Sequence, residues 1–76
     1  MITLAIIREG ERVRVLAVAG QDGVRTHLGG LGFVSGAVAT VVKRTAGSLI
    51  VGMHASRVAL SDELARRIRV ELLQER

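Results

Sequence analysis

Two histidines, His27 and His54, are the side chains of this sequence best suited to ligating a transition metal, and cysteine is absent. A protein metal site of the zinc type draws three or four ligands from cysteine, histidine and carboxylates held close together. Neither histidine stands in an H-x-x-x-H or H-x-x-E spacing, so no metal-ligating residue is assigned. His27 reads instead as a histidine hydrogen-bonded near a helix end. Nucleophilic chemistry finds no better footing. Ser35, Ser48, Ser56 and Ser61 each fall in a turn or cap context, without a histidine and an acid at a recognisable spacing. The run Gly29-Gly30-Leu31-Gly32 looks like a phosphate loop but belongs at the C-terminal end of a helix, where carbonyls point outward and repel anions. No G-K-[ST] follows it. The expectation is a protein that is no enzyme, with no catalytic residue and no cofactor.

What could bind, then, is a surface, and composition narrows its kind. The chain has 76 residues, 49% of them apolar and 24% charged, which is the composition of one globular domain over 1–76. So short a chain buries only about 60% of its extended surface, so with no disulfide it must hold by packing, by oligomerising as a homo-oligomer, or by docking. Eleven basic residues, ten of them arginine, outweigh seven acidic ones for a net charge of +4. Basic charge attracts phosphate, yet here it is scattered, with adjacent pairs only at Lys43-Arg44 and Arg66-Arg67. A single-strand binder stacks bases on aromatic rings, and Phe33 is the one aromatic residue. No nucleic acid is expected as a partner. The longest apolar run, Ile2 to Ile7, is far short of the ~20 residues of a spanning helix. No basic residue precedes it as in a signal peptide. A cytoplasmic protein is expected.

The elements that must position such a surface are legible from periodicity and glycine. Val13, Val15 and Ala17 alternate with Arg12 and Arg14 in a strand from Glu11 to Val18, and Leu16 and Val18 predict that its far half is covered on both sides. After a turn at residues 19–23, Val24, Leu28 and Leu31 form one stripe of a short helix. Asp22 is its expected N-cap and Gly32 its stop, with Gly36 in the turn that follows. Ala37–Arg44 and Ser48–Met53 read as a hairpin joined by Thr45-Ala46-Gly47. Ser56–Leu60 is a further strand, Ser61 caps a single helical turn, and Ile68, Val70 and Leu72 alternate in a last strand. The fold class expected is mainly β. It has about five strands curled into a small barrel, one short helix after the first strand and a helical turn before the last.

The segment Val24 to Gly36, V-R-T-H-L-G-G-L-G-F-V-S-G, resembles the L-x-x-L-G-[LMF]-x-x-G signature of the FeoA family. Ser48 to Val70 is similar to that family's closing pattern of L-I-V, then S-R-[IV]-A-L, then E-[LM]-A-x-x-I-x-V. Thr3-Leu4-Ala5 with Glu9-Gly10-Glu11 resembles its opening. The three pieces occur in order over nearly the whole chain. The departures are Ser35 where the family commonly has proline, Gly30 where it often has a polar residue, Ala46-Gly47-Ser48 in place of G-D-P, and Ala55 where glycine is commonest.

The resemblance implies an SH3-like β-barrel and a cytosolic accessory role in bacterial ferrous iron transport, a family associated with transition metals. Its implied partner is the FeoB-type ferrous iron permease. Docking on that permease from the cytosolic face, peripheral to the inner membrane, would modulate its assembly or its GTP-driven activity. Two other readings stand beside it. One is a stand-alone SH3-like regulatory domain related to that of metal-dependent repressors, though no helix-turn-helix region precedes it here. The other is a basic nucleic-acid-binding barrel, supported by charge alone. The contact surface is placed on the helix and its exit, at His27, Leu28, Leu31 and Phe33. Leu28 is weighed more heavily as core, and Phe33 is read equally as core and as docking side chain.

Overall fold

The period of two between Arg12 and Val15 is realised as a strand whose valines are fully buried and whose arginines are exposed. The computed structural model describes residues 2–73, and in it the chain runs through β1 (Arg12–Val18), α1 (Asp22–Gly30), β2 (Val38–Thr45), β3 (Ser48–Met53), β4 (Ser56–Ser61), α2 (Asp62–Ala65) and β5 (Ile68–Leu73). A 3-10 turn over Leu4–Ile6 precedes β1. The five strands make one antiparallel sheet in the order β4-β3-β2-β1-β5. Alternate residues of each strand face inward. Val13, Val15, Ala39, Val41, Leu49, Val51, Leu60, Ile68 and Val70 thus meet in one core, which Leu28 and Phe33 join from the helix and its exit.

The fold class is the one expected: mainly β, five strands, a helix after the first and a helical turn before the last. The barrel is not closed by hydrogen bonds, since β4 and β5 are the two edges of the sheet. The physical reason lies in α2, which is inserted between those strands in the chain and packs against β4 and the 3-10 turn. The edge of β5 is partly covered by the N-terminal arm. Thr3 forms an isolated bridge to Arg69, and the Val70 N–H donates to the Ile2 carbonyl at 3.0 Å.

The far half of β1 departs from expectation. The pairing of β1 with β5 shifts between Val15 and Ala17, a β-bulge that leaves Leu16 without a partner across the strand. The bulge reverses the inward-outward alternation. Leu16 is 42% exposed and Ala17 also faces solvent, while Val18 packs against the core. Leu16 is therefore not covered.

Helix α1 is capped by Gln21 and not by Asp22. Gln21 is extended, and its carbonyl accepts the first helical hydrogen bond, from the Arg25 N–H at 3.0 Å. Asp22 is the first helical residue. The Gln21 side chain makes no cap hydrogen bond, and the Asp22 carboxylate lies 4.0 Å from the Arg25 guanidinium. It still sits at the positive end of the helix dipole. Ser61, by contrast, accepts a hydrogen bond from the Leu64 N–H at 3.1 Å and caps α2.

The C-terminal end of α1 is a Schellman motif. The Phe33 N–H donates to the Leu28 carbonyl at 3.0 Å and the Gly32 N–H to that of Gly29 at 3.0 Å, the paired bonds of that motif. Gly32 has φ +107°, a conformation that costs a side-chain-bearing residue about 1–3 kcal/mol. An added Cβ would meet the Met53 methyl at 3.5 Å, an ordinary contact, so the backbone sets the penalty. Gly32→Val is accordingly expected to lose about 1–3 kcal/mol, read as a lowered midpoint in thermal or urea unfolding. An unchanged midpoint would contradict this reading of the helix end.

Candidate functional site

The four residues at the helix exit do not form one surface. In a helix each residue turns by about 100°, so Val24 and Leu28 face inward while the residues on either side of them point to opposite flanks. Leu28 is fully buried and Phe33 is 1% exposed, so neither side chain is available to a partner in the folded protein. The Schellman geometry explains this, because the residue after the left-handed glycine folds back to pack on the last turn of the helix. His27 is exposed and Leu31 half-buried, on one flank. Gly36 (φ +92°) lies beyond, its N–H donating to the Val15 carbonyl at 2.8 Å.

The other flank carries a groove that sequence periodicity does not reveal. Arg25 and Gly29 of α1 face the bulged end of β1 across a depression of about 410 Å³, with Leu16 and Val34 on its rim. Leu16 is 42% exposed and Val34 53%. Each is displayed by a backbone irregularity. The bulge pushes Leu16 out, and the turn that buries Phe33 necessarily presents the next residue to solvent. Gly29 keeps the floor low because it has no side chain. Two exposed aliphatic side chains beside an arginine make an apolar centre with a polar edge, the anatomy of a protein–protein contact. The sequence signal that leads here is a hydrophobic residue placed directly after a left-handed glycine, which assigns Phe33 to the core and Val34 to the surface.

A second residue missed by the charge reading is Arg44. Instead of a solvated pair with Lys43, it bends over the chain start. Its Nε donates to the Ile7 carbonyl at 2.8 Å, one terminal nitrogen donates to the carbonyls of Leu4 and Ala5, and the other reaches Asp62 Oδ1 at 3.3 Å. The Arg44 N–H donates to Glu9 Oε2 at 2.7 Å. Arg44 thus ties β2 to the 3-10 turn and to α2 across the open side of the sheet. Its role is structural.

Among the described residues, no three of histidine, aspartate and glutamate come together in a way that could hold a metal ion, and no helix is long and apolar enough to cross a membrane.

The FeoA domain family model matches residues 2–72. No curated protein matches the sequence. Among solved structures, an iron uptake regulatory protein, FeoA, is 25% identical with a TM-score of 0.90, over 95% of this chain and 97% of that one. FeoA of Stenotrophomonas maltophilia, solved with zinc and described as a prokaryotic SH3 domain protein, is 26% identical with a TM-score of 0.82, over 93% of this chain and 91% of that one. A manganese-dependent transcriptional repressor has a TM-score of 0.86 at 23% identity, over 93% of this chain and 40% of the repressor. That last likeness is one of fold.

Proposed function

We propose, from the premise that this chain belongs to the FeoA family, that it is a non-catalytic accessory protein of ferrous iron uptake. It acts by docking on the cytosolic side of a FeoB-type permease. The observation that carries the reading is the family match over residues 2–72, joined to a surface suited to protein contact and not to chemistry. The groove between α1 and the β1 bulge, with Leu16 and Val34 at its rim, is the proposed contact. A docked protein shifts a transporter between conformations only through different affinity for each of them, so binding is expected to depend on the nucleotide held by the permease.

The experiment is co-purification of this chain with the cytosolic GTP-binding part of the permease in its nucleotide-free, GDP and GTP-analogue states. Wild-type protein is expected to be retained in at least one state. Val34 is exposed, so Val34→Asp should leave stability within about 0.5 kcal/mol. A carboxylate in a desolvated apolar contact is unfavourable, so the variant is expected to weaken retention by at least about tenfold. Absence of wild-type binding in every nucleotide state would overturn the partner. Equal binding by Val34→Asp would overturn the groove.

A further inference from the structure

Of the two edges of the sheet, β5 is partly covered by the N-terminal arm, and β4 is not. β4 bonds to β3 along one side. Hydrogen-bonded and non-hydrogen-bonded pairs alternate along an antiparallel ladder, which fixes the direction of each peptide group. The two-residue turn His54-Ala55 makes Met53 and Ser56 a hydrogen-bonded pair. At the far end, one step beyond the Ser48–Ser61 pair, the Asp62 N–H donates to the Gly47 carbonyl at 3.0 Å. Ser56, Val58 and Leu60 therefore bond to β3, while Arg57 and Ala59 turn their N–H and C=O groups away from it. Among the described residues, no other backbone group bonds to those of Arg57 and Ala59.

An open edge is a template for another strand unless a bulge, a proline or a covering segment blunts it. The chain has no proline. The ladders of β1 with β5 and of β2 with β3 each carry a register shift, whereas that of β3 with β4 runs unbroken over six pairs. The edge is also polar in its charge. Arg57 stands near its start, and Asp62 and Glu63 follow its end in the first turn of α2. Asp62 is held by Arg44 at 3.3 Å. The exposed side chains of Arg57 and Glu63 make no hydrogen bond or ion pair among the described residues.

We infer that the β4 edge pairs with the β4 edge of a second copy of this chain, antiparallel and about a two-fold axis between the two Val58 residues. In that register Arg57 of each copy pairs with Ala59 of the other, and every outward N–H and C=O of those residues gains a partner. A two-fold contact closes on itself, since each copy offers the same patch. Ala59 is exposed and small, so the Arg57 stem of the second copy can lie across it. Val58, half-buried against the core, meets its own equivalent. The antiparallel sense sets the Arg57 end of one strand beside the Asp62-Glu63 end of the other, whereas a parallel pairing would set like charges together. The alternative of β4 on β5 is disfavoured because the arm already occupies Arg69 and Val70 of β5. One strand pair buries well under the ~1,200 Å² of stable interfaces, so the dimer is a weak one that forms at high protein concentration. The pairing uses neither Leu16 nor Val34, and it stands or falls apart from the permease contact.

The test follows the intact chain by sedimentation equilibrium and by backbone amide shifts over a wide range of protein concentration at low salt. The expected result is a mass that rises from monomer to dimer and no further, with the amides of Arg57 and Ala59 shifting most. Ala59→Pro removes an N–H that makes no bond within one chain, at an edge position where proline is tolerated. It is expected to weaken the dimer at least about tenfold with little change in thermal midpoint. Two exposed charges give a second handle that leaves the fold alone. Arg57→Glu and Glu63→Arg are each expected to weaken the dimer about twofold or more, and the double variant to recover it. Four results would overturn the inference: a monomer at every concentration, a dimer that Ala59→Pro and both charge variants leave unchanged, growth beyond the dimer, or protection of the β4 amides only when the permease's cytosolic part is added. The last would give the edge to a strand of that partner instead.

Discussion

Replacing Phe33 with alanine is expected to cost about 3–5 kcal/mol of stability, enough to bring a domain of this size close to unfolding at growth temperature. Phe33 is 1% exposed and is the largest fully buried side chain of the core. Its amide bond to the Leu28 carbonyl survives the substitution, so the loss comes from the emptied volume and not from the helix end. The thermal midpoint should fall by roughly 12 °C or more, given that each kcal/mol is worth about 4–8 °C in domains of 60–100 residues. Phe33→Leu keeps much of the volume and should recover most of that loss. Loss of iron uptake in a Phe33→Ala strain would then follow from unfolding, and a folded, stable Phe33→Ala protein would contradict the burial.

Arg44→Met is expected to be the second severe change, at about 2–4 kcal/mol. The substitution keeps an unbranched apolar stem and removes the guanidinium. The carbonyls of Ala5 and Ile7 lose the guanidinium donor, that of Leu4 keeps only the Ile7 N–H, and Asp62 loses its cation. The Arg44 and Asp62 side chains are only 27% and 32% exposed, so water replaces those bonds incompletely. The effect should be visible locally before it is visible globally. The Ile7 N–H, bonded to the Leu4 carbonyl at 3.2 Å inside the held turn, should exchange with solvent much faster in the variant. Arg44→Lys should restore only part of the stability, because one ammonium cannot reach four acceptors in the geometry of a planar fork. Unchanged exchange at Ile7 would remove the stapling role.

Most of the elements of this fold are legible in the sequence because the local signals agree with the tertiary demands. Val13 and Val15 between arginines, Val24 and Leu28 four apart, and Ser61 ahead of two acids each report a period or a cap that the packing then uses. The candidate site is harder to read for three physical reasons. The bulge at Leu16 leaves no mark in composition, yet it reverses which side chains reach solvent. Phe33 follows a glycine-rich stretch that suggests display, whereas the left-handed turn at Gly32 folds it inward and displays Val34. Asp22 is a good cap by residue type, but the chain enters the helix one residue earlier, at Gln21. The bonds of Arg44 join positions 37–40 residues apart in the chain.

The most direct test of the accessory role is ferrous iron uptake by cells that carry the permease and lack this chain. Uptake of radioactive Fe(II) is expected to fall on deletion, to return with wild-type protein expressed in trans, and to stay low with the folded Val34→Asp variant. Uptake that is unchanged by deletion, at limiting as well as at sufficient iron, would contradict the account.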